Sequence, residues 1–145
     1  MQRQRGLTLL ELLVVLAIIG LAMTGVSLSL RDSQQTQLER EAQRLVAILE
    51  AARAQSRTSG MPLIWQTTPE GFAIRPEPMG RTDTWLTQGT QATVHTAPAN
   101  LVVLGPEPIL APVRITLSAP AKSAAQPTAT LNIGTDGLRP FQVLP

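Results

Sequence analysis

Residues 12–30 read LLVVLAIIGLAMTGVSLSL, an uncharged apolar run that decides how the rest of the chain is organised. Its nineteen residues are enough for an α-helix to cross the hydrocarbon core of a bilayer. Arg3 and Arg5 precede the run, whereas Arg31 and Asp32 cancel each other after it. The positive-inside rule therefore predicts a cytoplasmic N-terminus, one transmembrane helix and an exported C-terminal region.

A cleavable secretory signal is the competing interpretation, because a short basic segment followed by an apolar one also fits that pattern. Two features count against it. The apolar run is longer than the roughly 7–15 residues of an ordinary secretory signal. No clear Ala-x-Ala cleavage site follows the run. The sequence therefore favours a retained anchor.

Glu11 places an acid among the leucines of residues 9–13, just before the apolar run. A carboxylate at membrane depth needs a counter-charge or contact with the headgroups. A place in the first helical turn would let it reach the headgroups and the positive helix end. Alternatively, cleavage after Gly6 would create an amine on Leu7, four residues before Glu11.

The segment Gly6-Leu7-Thr8-Leu9-Leu10-Glu11 follows a short basic leader and resembles the type IV prepilin signal, whose common form is Gly-Phe-Thr-Leu-x-Glu. Leu7 stands where that family usually has Phe. The resemblance implies cleavage between Gly6 and Leu7 by a prepilin peptidase and N-methylation of Leu7. It also implies that Glu11 pairs with the N-terminal amine of a neighbouring subunit in a filament.

Beyond Leu30 the apolar pattern becomes amphipathic, which predicts that the helix continues out of the membrane. One face carries residues 38, 42, 45, 46, 49, 52 and 53. Ser59-Gly60 before Met61-Pro62 predicts the helix end, because Gly accepts a left-handed cap and Pro cannot prolong a helix. Glu41 with Arg44 and Glu50 with Arg53 stand at i, i+3, which predicts weak ion pairs on a solvent-exposed face.

Residues 61–145 alternate apolar and polar residues with a period of two, which predicts β-strands. The strands at 63–67 and 72–74 flank the turn Pro69-Glu70-Gly71 and predict a hairpin. Further predicted strands are 92–96, 101–104, 113–117, 130–133 and 138–143. A turn is predicted at Asp136-Gly137, and flexible loops at 81–89 and 119–126.

These elements predict an α+β, pilin-like fold, in which a long N-terminal transmembrane and amphipathic helix packs on a C-terminal antiparallel β-sheet domain. The expected divisions are a prepilin leader at 1–6, a transmembrane helix at 7–30, a periplasmic extension of that helix at 31–60 and a β-rich periplasmic domain at 61–145.

Several segments beyond the N-terminus resemble the H-class minor pseudopilins of type II secretion. They are Leu45–Arg53, Gly60–Leu63, Trp65, Gly71-Phe72, Trp85 and Ile133–Gly137. The resemblance implies a subunit of the periplasmic pseudopilus in the bacterial inner membrane. The partners that it implies are other major and minor pseudopilins, the prepilin peptidase and the inner-membrane platform of the secretion system. A minor type IV pilin, acting in pilus assembly, adhesion or DNA uptake, is the alternative.

The composition favours a structural protein over an enzyme. The chain has no Cys, which excludes disulfides and thiolate metal sites, and its one His, His95, lies in a strand pattern. We therefore expect no catalytic, cofactor or metal site and no small-molecule substrate. Two observations argue against a nucleic-acid partner. The formal charge is only +2, and Arg75, Arg81 and Arg114 are scattered along the sequence. Both tryptophans are expected in the core.

Overall fold

A computed structural model of the chain describes residues 9–76, 80–96, 100–120 and 128–144, and for residues 24–33 it describes the backbone alone. The described residues form one α-helix and eight β-strands. Their bounds are α1 Leu9–Ser59, β1 Leu63–Thr68, β2 Gly71–Arg75, β3 Arg81–Thr84, β4 Gln91–Val94, β5 Leu101–Leu104, β6 Val113–Ser118, β7 Thr130–Thr135 and β8 Gln142–Leu144. The predicted combination of an N-terminal helix and antiparallel strands is confirmed.

The chain divides into two compact units, Met1–Ser33 and Gln34–Pro145. In the first unit the large apolar side chains of α1 are exposed, with exposed fractions that range from 45% at Ile19 to 82% at Leu9. Within the part of the chain that the structure describes, no helix combines the length and the apolarity needed to cross a membrane.

In the second unit the predicted face of α1 packs on the β-strands. Leu38, Ala42, Leu45, Leu49 and Ala52 are all buried, which confirms the amphipathic pattern. Burial of this apolar face is the main source of stability for such a helix.

The helix ends where the sequence predicts. Gly60 adopts a positive φ of 70° and donates its N–H to the carbonyl oxygen of Ser56 at 2.9 Å. The hydroxyl of Ser56 donates to the carbonyl oxygen of Met61 at 2.8 Å and holds the chain as it turns toward β1.

The strands form two antiparallel four-stranded sheets, with the orders β3-β2-β1-β5 for the first sheet and β4-β6-β7-β8 for the second. The predicted hairpin is confirmed, since β1 pairs with β2 and Thr68 lies opposite Gly71. Trp65, Phe72 and Trp85 form a buried aromatic cluster. The ring centroid of Phe72 lies 5.9 Å from that of Trp65 and 5.2 Å from that of Trp85. The expected burial of both tryptophans is confirmed.

Two strand predictions were wrong in detail. Residues 81–84 form the edge strand β3 instead of part of a flexible loop, because their backbone pairs with β2 although their side chains are polar. The last strand, β8, is shorter than the predicted 138–143. Residues 136–139 are held in a turn because the Thr135 hydroxyl donates to the carbonyl oxygen of Arg139 and Asp136 accepts from the N–H groups of Leu138 and Arg139, so the strand begins only after them. The predicted loop at 119–126 lies outside the described residues from 121 onward.

The prediction that the i, i+3 ion pairs of α1 mark a solvent face was also wrong. Both pairs form, but Glu41 is 1% exposed and Arg53 is 3% exposed. They are buried because loops of the β-region cover them and bring backbone groups to their side chains. Glu41 accepts a hydrogen bond from the N–H of Leu86 at 2.6 Å, and Arg53 donates to the carbonyl oxygen of Gly137 at 2.9 Å.

Candidate functional site

The N-terminal site predicted from the sequence lies partly within the described residues. Gly6 and Leu7, the predicted cleavage and methylation positions, lie outside them. Glu11 lies in the first turn of α1, and its side chain is among exposed leucines. A carboxylate in the first turn of a helix interacts favourably with the partial positive charge of the helix N-terminus.

The isolated first unit thus presents an acid within an apolar surface. Leu10 and Leu12, on either side of Glu11, are 74% and 56% exposed. An apolar surface of this kind is typical of an element that is covered in its working state, by lipid or by other helices.

The second unit carries a groove on its second sheet, with a volume of about 490 Å³. Sequence reasoning did not find it, because the register in which β6, β7 and β8 pair brings its residues together, and periodicity does not specify that register. In the ladder, Gly134 of β7 lies between Arg114 of β6 and Gln142 of β8. The alternation of polar and apolar residues along β4, β6 and β7 was the only sequence feature that could have indicated the outer face on which this groove lies.

His95 lies beside the groove and is held by a chain of hydrogen bonds. Its Nε2 lies 2.8 Å from Oγ1 of Thr116, and that hydroxyl donates to Oδ1 of Asn132 at 2.7 Å. Because the Thr116 hydrogen is directed to Asn132, the Thr116 oxygen is left to accept a hydrogen from His95 Nε2. His95 therefore has a structural contact with the sheet, and its Nδ1 is the ring nitrogen left for other contacts.

Asp136 closes one end of the groove. Its Oδ1 accepts hydrogen bonds from the backbone N–H groups of Arg139 at 2.8 Å and Leu138 at 3.0 Å. These two bonds hold the pKa of Asp136 below its ordinary value, and the nearby Arg139 guanidinium acts in the same direction. Gly137 follows with a positive φ of 92°. The predicted Asp136-Gly137 turn is thus confirmed.

Arg75, Arg81 and Arg114, which are scattered along the sequence, also lie in different surroundings in the structure. Arg75 ends β2, and Arg81 forms an ion pair with Asp83 on β3, both in the first sheet. Arg114 lines the groove of the second sheet. Within the described ranges, no three His, Asp or Glu side chains gather as metal ligands would.

Comparison with known proteins gives one match. The model of the prokaryotic N-terminal methylation motif, the prepilin-type signal of pilins and pseudopilins, matches residues 1–27. No curated protein and no solved structure matches the chain. The N-terminal motif therefore indicates a type IV pilin-like or pseudopilin protein, membrane-associated and facing the periplasm, that a prepilin peptidase processes and that assembles with other pilin-like subunits.

Proposed function

We propose that this protein is a minor pseudopilin of the type II secretion system, of the H class. It is a structural subunit of the periplasmic pseudopilus that helps export folded proteins across the outer membrane. The observation that carries the proposal is the methylation motif at residues 1–27, which opens a helix that ends in a β-rich unit. The resemblance of Leu45–Arg53 and Ile133–Gly137 to H-class pseudopilins supports the finer assignment.

Residues 7–30 anchor the subunit in the inner membrane before assembly, with residues 31–60 extending the helix and residues 61–145 forming the periplasmic domain. The uncharged run at 12–30 supports this anchor, as do the exposed apolar side chains of α1 that the first unit leaves uncovered. Arg3 and Arg5 favour a cytoplasmic N-terminus until the leader is removed.

Glu11 is the assembly residue of this proposal. Cleavage between Gly6 and Leu7 creates an amine, which is methylated on Leu7, and the Glu11 carboxylate of a neighbouring subunit pairs with it. A charge in an apolar environment is tolerated when it is paired, so the acid favours one register of packing between subunits. The same residue opposes packing in which it has no counter-charge.

The subunit acts through its interfaces and is not an enzyme. Its one histidine, His95, is engaged with Thr116, which supports a structural use of that side chain. Its partners are the other major and minor pseudopilins, the prepilin peptidase and the inner-membrane platform. A minor type IV pilin shares the methylation motif and is the second candidate; the absence of Cys favours the pseudopilin, since many surface pilins carry a disulfide.

A secretion assay in the native bacterium tests the proposal. We expect deletion of the gene to leave folded substrates of type II secretion in the periplasm, and the wild-type gene to restore their export. Glu11→Ala should still enter the membrane fraction but fail to cross-link with other pseudopilins and fail to restore export. The matched control is Glu39→Ala, which removes an exposed acid of α1 in the second unit.

Two outcomes would contradict the proposal, and a third would invalidate the assay. Normal export in the deletion strain, together with lost surface pili or DNA uptake, would assign the protein to a type IV pilus. Normal incorporation of Glu11→Ala would remove the role given to that residue. Failure of Glu39→Ala to restore export would show that the assay responds to loss of any acid of the helix.

A further inference from the structure

We propose that the groove of the second sheet binds an extended peptide segment of a partner protein and that Arg114 receives a carboxylate of that segment. The inference goes beyond the assembly role of the N-terminal helix and does not depend on it. It concerns the second unit alone, and it rests on the shape, charge and lining of the groove.

The shape of the groove results from a glycine at its floor. Gly134 lies directly opposite Arg114 on one side and Gln142 on the other, so the row across the sheet has a gap at its centre. A Cβ at this position would lie 2.6 Å from the carbonyl oxygen of Val113 and 2.9 Å from Cδ1 of Leu144. A side chain at position 134 would therefore collide with β6 and β8, and the groove lies over a buried glycine that Leu144 partly covers.

The charge of the groove favours an anion. Among the residues that the structure describes, two arginines, Arg114 and Arg139, line it against one acid, Asp136. Nε of Arg139 lies 3.7 Å from Oδ2 of Asp136, so these two charges largely compensate each other. The guanidinium of Arg114 makes no hydrogen bond or ion pair with any residue that the structure describes. It is therefore the cation available to bind a carboxylate, through the two parallel hydrogen bonds that guanidinium groups favour.

The remaining lining favours a peptide over a nucleic acid. Pro112, Val113, Pro140 and Leu144 give the groove apolar walls, which suit the side chains of a peptide. Among the described lining residues there is no Trp or Phe to stack on bases, and Asp136 at the end of the groove would repel a continuous phosphate backbone. The charge is also too small for a binder that neutralises many phosphates.

An open strand edge borders the groove. β8 is the last strand of the second sheet and pairs only with β7 among the described strands. Gln142 and Leu144 of this strand line the groove, so an extended segment that leaves the groove across β8 reaches the unpaired backbone groups of its open edge. Backbone hydrogen bonds to a sheet edge are a common source of affinity for extended peptides, whereas the pockets for side chains supply specificity.

The test is a titration of the full chain in detergent micelles with a fluorescent peptide of alternating Val and Asp residues, blocked at both ends. We expect saturable binding that weakens about tenfold when Asn replaces Asp in the peptide, and about tenfold in the Arg114→Gln variant. Gln142→Trp should also weaken binding, because a bulky side chain on β8 fills the groove without changing its charge.

The matched control is Arg75→Gln, which removes an exposed arginine from the first sheet and should leave the affinity unchanged. Arg114 is exposed, so its variant is expected to fold, and unchanged tryptophan fluorescence from the core would verify this. The proposal is overturned if the peptide does not bind, if its Asn form binds equally well, or if Arg114→Gln has no effect. It is equally overturned if a single-stranded oligothymidylate displaces the peptide at lower concentration.

Discussion

Arg53 illustrates how a single buried charge can join a helix to loops that are distant in sequence. Its Nη2 donates to the carbonyl oxygens of Gly137 at 2.9 Å and Pro108 at 3.1 Å, and its Nη1 donates to that of Arg139 at 3.3 Å. A buried guanidinium is stabilised only when it is hydrogen-bonded in this way. These loops bury a charged side chain that the sequence pattern predicted to lie on the surface.

We expect Arg53→Met to lower the free energy of unfolding by about 2–3 kcal/mol, because it keeps the aliphatic stem but leaves the buried carbonyl group of Gly137 without its donor. Arg57→Met is the matched control. Arg57 also donates to the carbonyl oxygen of Pro108, at 3.1 Å, but it is exposed, so its loss should cost less than about 1 kcal/mol. Denaturation of the full chain in detergent, followed by tryptophan fluorescence, measures both, and equal losses would contradict the role of burial.

Asp136 predicts a dependence of stability on pH. The backbone N–H groups of Arg139 and Leu138 lower the pKa of Asp136 in the folded state. The carboxylate therefore contributes stability at pH values above its ordinary pKa of 3.8. That contribution is lost as the pH falls through the folded pKa. We expect Asp136→Ala to be less stable than the wild type at neutral pH and to converge with it in acid.

Urea denaturation across the acid range measures this difference. Glu70→Ala, which removes an exposed carboxylate from the β1–β2 turn, controls for loss of charge alone. A gap between Asp136→Ala and the wild type that stays constant down to the lowest pH would refute the assignment.

At the scale of elements, the edge strand β3 depends on a glycine in its neighbour. A Cβ on Gly71 would lie 2.7 Å from Cα of Thr84 and would collide with the carbonyl oxygen of Asp83, both on the backbone of β3. Gly71→Ala should therefore push β3 away and cost about 2–3 kcal/mol. Hydrogen exchange at residues 81–84 should quicken, whereas Gly20→Ala, whose added Cβ meets nothing within 4 Å, should leave it unchanged. Unchanged exchange in Gly71→Ala would contradict this packing.

The elements also show which features sequence patterns can predict. The apolar face of α1 and the β1–β2 hairpin were predictable, because periodicity and turn residues are local properties. The strand β3 was not, since its polar segment Arg81–Thr84 is a strand only through its pairing with β2. The same limit applies to Glu41 and Arg53, whose burial is caused by distant loops, and to the groove, whose floor at Gly134 is defined by strand register.

At the scale of the whole molecule, the proposed processing would change the charge of the chain. Loss of residues 1–6 removes Arg3 and Arg5 and leaves ten basic and ten acidic residues. We expect the intact mass of the protein from cells with a prepilin peptidase to lack these six residues and to include one methyl group on Leu7. Cells without the peptidase provide the control and should keep Met1. The full-length mass in both strains would refute the processing and, with it, the pairing proposed for Glu11.

The bonds made by Arg53 also affect how this protein can diverge. The guanidinium donates to main-chain oxygens of residues 108, 137 and 139, and of these positions only 137 requires a particular residue, a glycine, because its φ is positive. The exposed side chains at Ile109 and Leu138 are therefore free to be exchanged while the attachment of both loops to α1 is kept. Evolution can thus change the outer surface at this end of the domain without weakening the scaffold beneath it.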